Sequence, residues 1–145
     1  MAACNDRDIL TVTTTVGSRE DAQALARAIL QRRLAACVQV EEGLTSFYRW
    51  EGKECEDAEV RVTIKTLPGS EDALQALFAE QHPYEVPQFL ATRMQASEAY
   101  FAWVEAECRG SPSGSPRPTS PADPANPANP DTRPTTTTPT QTPAR

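Results

Sequence analysis

EVRVTIK, residues 59–65, decides how this chain is read. Val60, Val62 and Ile64 alternate with Glu59, Arg61, Thr63 and Lys65. A strand sends successive side chains to opposite faces, so this is a strand with one apolar and one polar face. Just upstream, TSFYRW at 45–50 reads as a second strand, and Glu51-Gly52-Lys53 as the turn between them. Two long strands joined at Gly52 make a hairpin. Gly52 supplies the positive φ that a tight turn needs. Further back, the apolar run LAACVQV at 34–40 is short enough for a buried strand, with Gly43 bending it before TSFYRW continues it.

Outward from this hairpin, strands and helices alternate. ILTVTTTV at 9–16 is β-branched almost throughout, which suits an opening strand. Ser18 caps a helix, with Asp21 three residues on as in a capping box, and Ala22, Leu25, Ala26, Ile29 and Leu30 form its apolar stripe. After the central strand, Pro68-Gly69 ends the hairpin. Ser70 then caps a helix whose stripe is Ala73, Leu74, Leu77 and Phe78. His82-Pro83 stops that helix, because the residue before a proline avoids the helical conformation. Residues 88–95 form a fourth strand, and Ser97 caps a last helix bearing Tyr100, Phe101, Trp103 and Val104. The order β-α-β-β-α-β plus a C-terminal helix is the α+β ferredoxin-like plan, an antiparallel sheet with two helices on one face. The open face needs cover, from the third helix or from another subunit. The long hairpin and its edges point to oligomerisation.

Composition limits function. The chain has 145 residues, enough for one domain, with 14 Lys and Arg against 20 Asp and Glu, a net charge of −6. That balance argues against a nucleic-acid partner and against an anionic membrane surface. No run approaches 18 apolar residues, and the polar start has no signal-peptide core, so a cytoplasmic location is expected. Residues 111–145 hold 10 of the 13 prolines and no aromatic residue. They read as a disordered Pro/Thr/Ser-rich tail beyond a domain at 1–110. The tail carries Arg117, Arg133 and Arg145 against Asp123 and Asp131, a net +1, which leaves −7 on residues 1–110. Pro118, Pro121, Pro124, Pro127 and Pro130 recur every third residue, the period of a polyproline II helix. This spacing suits either a docking ligand for an aromatic groove or a solubilising spacer, and no tail partner is identified. Cys4, Cys37, Cys55 and Cys108 are too widely spaced for a C-x-x-C redox or zinc motif. Cys37 reads as core and the other three as surface or terminal thiols.

Candidate site residues follow from type and place. Tyr48 and Trp50 share one strand face. They serve either as anchors of a subunit contact or as a stacking platform for a small ligand. Lys65 and Glu59 lie on the polar face of one strand, roughly 20 Å apart, too far to pair with each other. Each is either a solvated or ion-paired strand residue, or part of a ligand site, with Lys65 an anchor for an anion. His82, the single imidazole, precedes Pro83 and Tyr84 in a backbone restrained by two prolines. It is either a helix C-terminal cap or part of a binding loop. Catalysis has little to stand on: the glycines are scattered, H-E-x-x-H is absent, and Cys37 in an apolar strand would be a disfavoured thiolate.

LAACVQV at 34–40, SFYRWEGK at 46–53, IKT at 64–66, HPYEVPQ at 82–88 and the Tyr100-x-x-Trp103 pair together resemble the CutA family of divalent-cation tolerance proteins. The resemblance covers residues 8 to about 108. It implies a ferredoxin-like subunit, similar to the PII signalling proteins, in a tight homotrimer, and a non-catalytic link to copper or another divalent metal. Family members proposed to bind copper resemble one another in a Cys on the first strand and a His-His pair before Pro-Tyr. Here Thr14 stands for that Cys and Gln81 for the first His, so of the three only His82 remains as a metal ligand, to be completed by Glu80, Glu85, residues of a neighbouring subunit, or three His82 side chains meeting near a threefold axis. The alternative is a PII-like sensor that holds a small anionic ligand at subunit clefts through Lys65, Tyr84 and Glu59. A trimer presenting three tails to a partner is a third possibility.

Overall fold

The fold comes from a computed structural model, which describes residues 7–108. The expected tail, its proline face and Cys4 lie outside the described residues. The elements are β1 (Asp8–Val16), α1 (Arg19–Gln31), β2 (Cys37–Trp50), β3 (Lys53–Thr66), a 3-10 turn (Pro68–Ser70), α2 (Glu71–Gln81), β4 (Leu90–Gln95) and α3 (Glu98–Cys108). All strand pairs are antiparallel, in the order β2-β3-β1-β4. This is the expected ferredoxin-like arrangement with one added helix.

Val60, Val62 and Ile64 of β3 stand opposite Val16, Thr14 and Val12 of β1, and together they floor the core. Leu25 and Ile29 of α1 and Leu74, Leu77 and Phe78 of α2 roof it. Burying each large apolar side chain here contributes about 1.5–3 kcal/mol, the main favourable term. Each helix uses a narrower stripe than its sequence offers. Leu30 is 46% exposed, and Ala73 is exposed as well. Both lie at the rim of their helices' apolar stripes. Ser18 caps α1 as expected, its hydroxyl accepting the Asp21 amide at 3.1 Å. Ser97 does the same for Tyr100 in α3, at 3.2 Å. Ser70 does not cap α2 through its side chain, because the preceding 3-10 turn already directs that helix start. At the other end of the two helices, Arg32 grips Glu80 through both guanidinium nitrogens, each at 3.0 Å.

Strand limits differ from expectation in instructive ways. β2 begins at Cys37, since Ala36 already donates its amide to the Lys65 carbonyl at 3.0 Å and Leu34 lies in the lead-in. β4 begins at Leu90; Phe89 instead packs edge-on against Phe78, ring centroids 5.1 Å apart. β3 starts at Lys53, six residues before the alternating stretch, because pairing with β2 holds it extended even where it is polar.

The hairpin has two parts. β1 pairs with β3 only from Val60 to Thr66, so residues 53–59 of β3 pair with β2 alone. They form an arm of seven pairs, roughly 23 Å long. Its tip is a two-residue turn with positive φ at Glu51 (49°) and Gly52 (78°), as in a type I′ hairpin. At its base the pairing shifts between Glu41 and Leu44: Glu42 and Gly43 on β2 stand against Val60 alone on β3. Gly43, at φ 91°, gives this bulge the left-handed residue it requires.

α3 lies against β1 and β3. Val104 is fully buried and Tyr100 meets the Lys65 side chain. Ile9 is 5% exposed although it lies on the face opposite Leu10, which marks α3 as partial cover for the open face.

Candidate functional site

The site grows from a conflict within β1. Thr14 sits in the apolar row with Val12 and Val16, and its side chain is fully buried. A buried hydroxyl needs a partner. The partner is His82, whose Nε2 lies 2.9 Å from Thr14 Oγ1. His82 is the C-cap of α2: its backbone amide donates to the Phe78 carbonyl at 2.9 Å, and its own backbone is extended ahead of Pro83. The ring then folds between Phe78 and Tyr84, at centroid distances of 5.3 and 5.2 Å.

The second ring nitrogen fixes the protonation state. The Tyr84 amide donates to His82 Nδ1 at 3.1 Å. A nitrogen that accepts carries no proton, so the neutral ring holds its proton on Nε2 and donates it to Thr14. Burial pushes the imidazole pKa below its usual value; the Thr15 backbone, Asp21 and Glu59 oppose this to a smaller degree. Tyr84 extends the chain of bonds, its phenol donating to Glu59 Oε2 at 3.0 Å. Thr14, His82, Tyr84 and Glu59 are therefore linked in sequence from β1 through the α2–β4 loop to β3.

This places the expected site residues. His82, Tyr84 and Glu59 come together, with His82 at the C-cap position of α2 and its ring turned to Thr14 and the Tyr84 amide. Glu59 departs from its expected polar, solvent-facing place: it is 4% exposed, because Tyr84 closes over it. Lys65 is not with them. It stands six residues along β3, its Nζ 6.0 Å from the Tyr100 ring centroid, beside Cys37 on β2. Tyr48 and Trp50 lie on the arm and are half-buried, and the Tyr48 phenol donates to the Asp57 carboxylate. Phe47, the residue before Tyr48, is 74% exposed. Leu90 and Met94 on β4 are exposed too, at the opposite sheet edge.

The thiols also differ from expectation. Cys37, Cys55 and Cys108 are all half-buried. Cys37 is not core, since β2 is an outer strand; Cys108 is shielded where α3 returns to Thr66, its sulfur 3.7 Å from the Thr66 hydroxyl. Burial raises the thiol pKa of both, with Lys65 opposing at Cys37.

Sequence reasoning met Thr14 only as the residue standing for a Cys. The available signal was a hydroxyl in the inward row of a strand, at a place where every neighbour is aliphatic. As a copper site this geometry does not fit. Copper favours imidazole and soft sulfur. Here one imidazole has both nitrogens bonded within its own chain, and the adjacent donor is a hard hydroxyl. Among the described residues no group of three His, Cys, Asp or Glu side chains can hold a metal ion.

Comparison with known proteins agrees with the architecture. The family model described as CutA1 divalent ion tolerance protein matches residues 10–107. The divalent-cation tolerance protein CutA of Thermus thermophilus is 38% identical over 94 residues, which cover 64% of this chain and 91% of that protein. The protein of the same name from Pectobacterium atrosepticum is 35% identical over 103 residues, 70% of this chain and 94% of that one. Among solved structures, CutA1 from Oryza sativa superposes with a TM-score of 0.68 at 35% identity, covering 72% of this chain and 96% of that chain. The matched span takes in all four strands except the first two residues of β1, and all but the last residue of α3, and on this ground the chain belongs to the CutA1 divalent ion tolerance protein family.

Proposed function

We propose that the chain serves divalent-cation tolerance as a non-catalytic homotrimer in the cytoplasm, with copper the first cation to test. The family match over residues 10–107 carries this reading. The arm supports the assembly. A two-stranded ribbon is marginal in water by itself, and residues 53–59 have no third strand among the described residues. Phe47 on one sheet edge and Leu90 and Met94 on the other leave apolar surface for another subunit to cover. Trp103 adds a buried indole N–H with no acceptor among the described residues. No helix of the described residues is long and apolar enough to cross a membrane.

Two measurements test the proposal. Light scattering should give three times the 15.8 kDa chain mass. Expression in a copper-sensitive host lacking its own tolerance gene should restore growth in copper. A monomeric mass, or no rescue by well-expressed protein, refutes it.

A second reading rests on Lys65. It is half-buried over Tyr100 and has no carboxylate within ion-pair distance among the described residues. Such a lysine suits a small anion, as in a PII-like sensor, with Tyr84 and Glu59 contributed from another subunit. A thermal-shift screen of nucleotides and carboxylates, repeated on Lys65→Ala, tests it; no stabilisation by any of them removes it.

A further inference from the structure

We infer that residue 14 decides whether the His82 pocket is a hydrogen-bonded pin or a metal site, and that Thr14 sets it as a pin in this chain. The inference rests on the metal link proposed above and specifies how that link does not operate. His82 is 9% exposed, and each of its ring nitrogens already has a partner in its own chain. A metal at Nδ1 must displace the Tyr84 amide. A metal at Nε2 must remove the proton given to Thr14, which moves it to Nδ1 and again breaks the Tyr84 bond. That amide begins the turn that carries the Tyr84 phenol to Glu59. Binding at either nitrogen therefore loosens the α2–β4 loop. In return the ion gains one imidazole and a neutral hydroxyl, too few soft donors for copper(I).

Replacing only the hydroxyl oxygen changes this balance. Thr14 Oγ1 and His82 Nε2 are 2.9 Å apart. Metal–sulfur and metal–nitrogen bonds of about 2.3 and 2.0 Å at a tetrahedral angle span about 3.5 Å between donors. A cysteine at 14 needs little widening to reach that spacing, and it is smaller than threonine, so it fits the fully buried position. Its thiolate supplies the soft donor that a hydroxyl cannot. The imidazole is buried between Phe78 and Tyr84, which limits access of competing water.

The test is a copper(I) competition titration against a chromophoric chelator, on the full reduced chain. Wild type and His82→Ala should bind alike, through their thiols alone. Thr14→Cys should gain one further equivalent per chain, at least tenfold tighter than wild type, and Thr14→Cys/His82→Ala should lose that affinity. Thr14→Ser should behave as wild type. The single histidine permits an independent reading without mutation: in imidazole-labelled protein the Nε2–H tautomer signals should stay in place when one equivalent of copper(I) is added. Their displacement in wild type, weaker binding by His82→Ala than by wild type, or equal affinity of Thr14→Cys and the double variant overturns the inference. These are binding measurements on purified protein, so failure of the growth rescue leaves their result intact.

Discussion

Thr14→Val isolates the bond on which the buried cluster turns. Valine keeps the shape of threonine, so the core between Val12 and Val16 stays filled. What is lost is the acceptor for the His82 Nε2–H, and that donor is left buried at the end of a ring held by Phe78 and Tyr84. A buried donor left without a partner costs about 1–3 kcal/mol. The added methyl returns about 0.8 kcal/mol of apolar transfer. The net expectation is a destabilisation of about 0.2–2.2 kcal/mol. For a domain of this size each kcal/mol lowers the melting temperature by about 4–8 °C. Urea denaturation at fixed protein concentration is the assay, since the proposed self-association would tie stability to concentration. The double variant Thr14→Val/His82→Phe removes both polar partners and should recover part of the loss, giving a coupling energy of about 1 kcal/mol. A Thr14→Val protein as stable as wild type, or single effects that simply add, would refute the view that this bond is buried and made.

Stability should fall as pH drops through His82's ordinary value of 6.5, because the folded pKa is lowered and only the unfolded chain takes up the proton there; it should level off below the folded value, and His82→Phe should flatten this step in a pH series of denaturation midpoints. Tyr84→Phe deletes a buried bond to a carboxylate and should cost about 2 kcal/mol by the same urea assay. Gly52→Ala places a Cβ in open space but at φ 78°, so strain alone should cost about 1 kcal/mol, seen as a lower midpoint with an unchanged denaturant slope.

Much of this architecture is legible in the sequence, because local signals and tertiary demands agree. Val60, Val62 and Ile64 alternate, and the chain pairs them in that register with β1. Ser18 and Ser97 read as caps and bond as caps. The turn at Glu51-Gly52 is a local requirement and forms locally. The misreadings share one cause: exposure depends on what another segment covers. Glu59 belongs to the polar series of its strand, yet Tyr84, 25 residues away, buries it. Leu30 belongs to an apolar stripe, yet nothing lies opposite it among the described residues to bury it. Lys53 to Ala58 carry no alternation of their own, and pairing with β2 makes them a strand. The site was legible as a set of residues but not as a chain of bonds. Thr14 and His82 are 68 positions apart, and no spacing rule links them.

The bulge at Gly43 has a consequence for how such an arm can change over time. Before it, Val38 and Val40 share a side with Ile64 and Val62; after it, Tyr48 and Trp50 share a side with Cys55 and Lys53. One extra residue has exchanged odd for even. Deleting that residue would close the bulge and leave Leu44 to Trp50 against the same partners on the same sides. Closing the bulge with the length unchanged would instead slip the pairing by one, so that Phe47 and Arg49 would stand against Cys55 and Lys53, on the side now held by Tyr48 and Trp50. The bulge is therefore what keeps the two faces of the arm apart: its loss by a slip would alter every contact the arm makes, while its loss by deletion would alter none of the pairs beyond it.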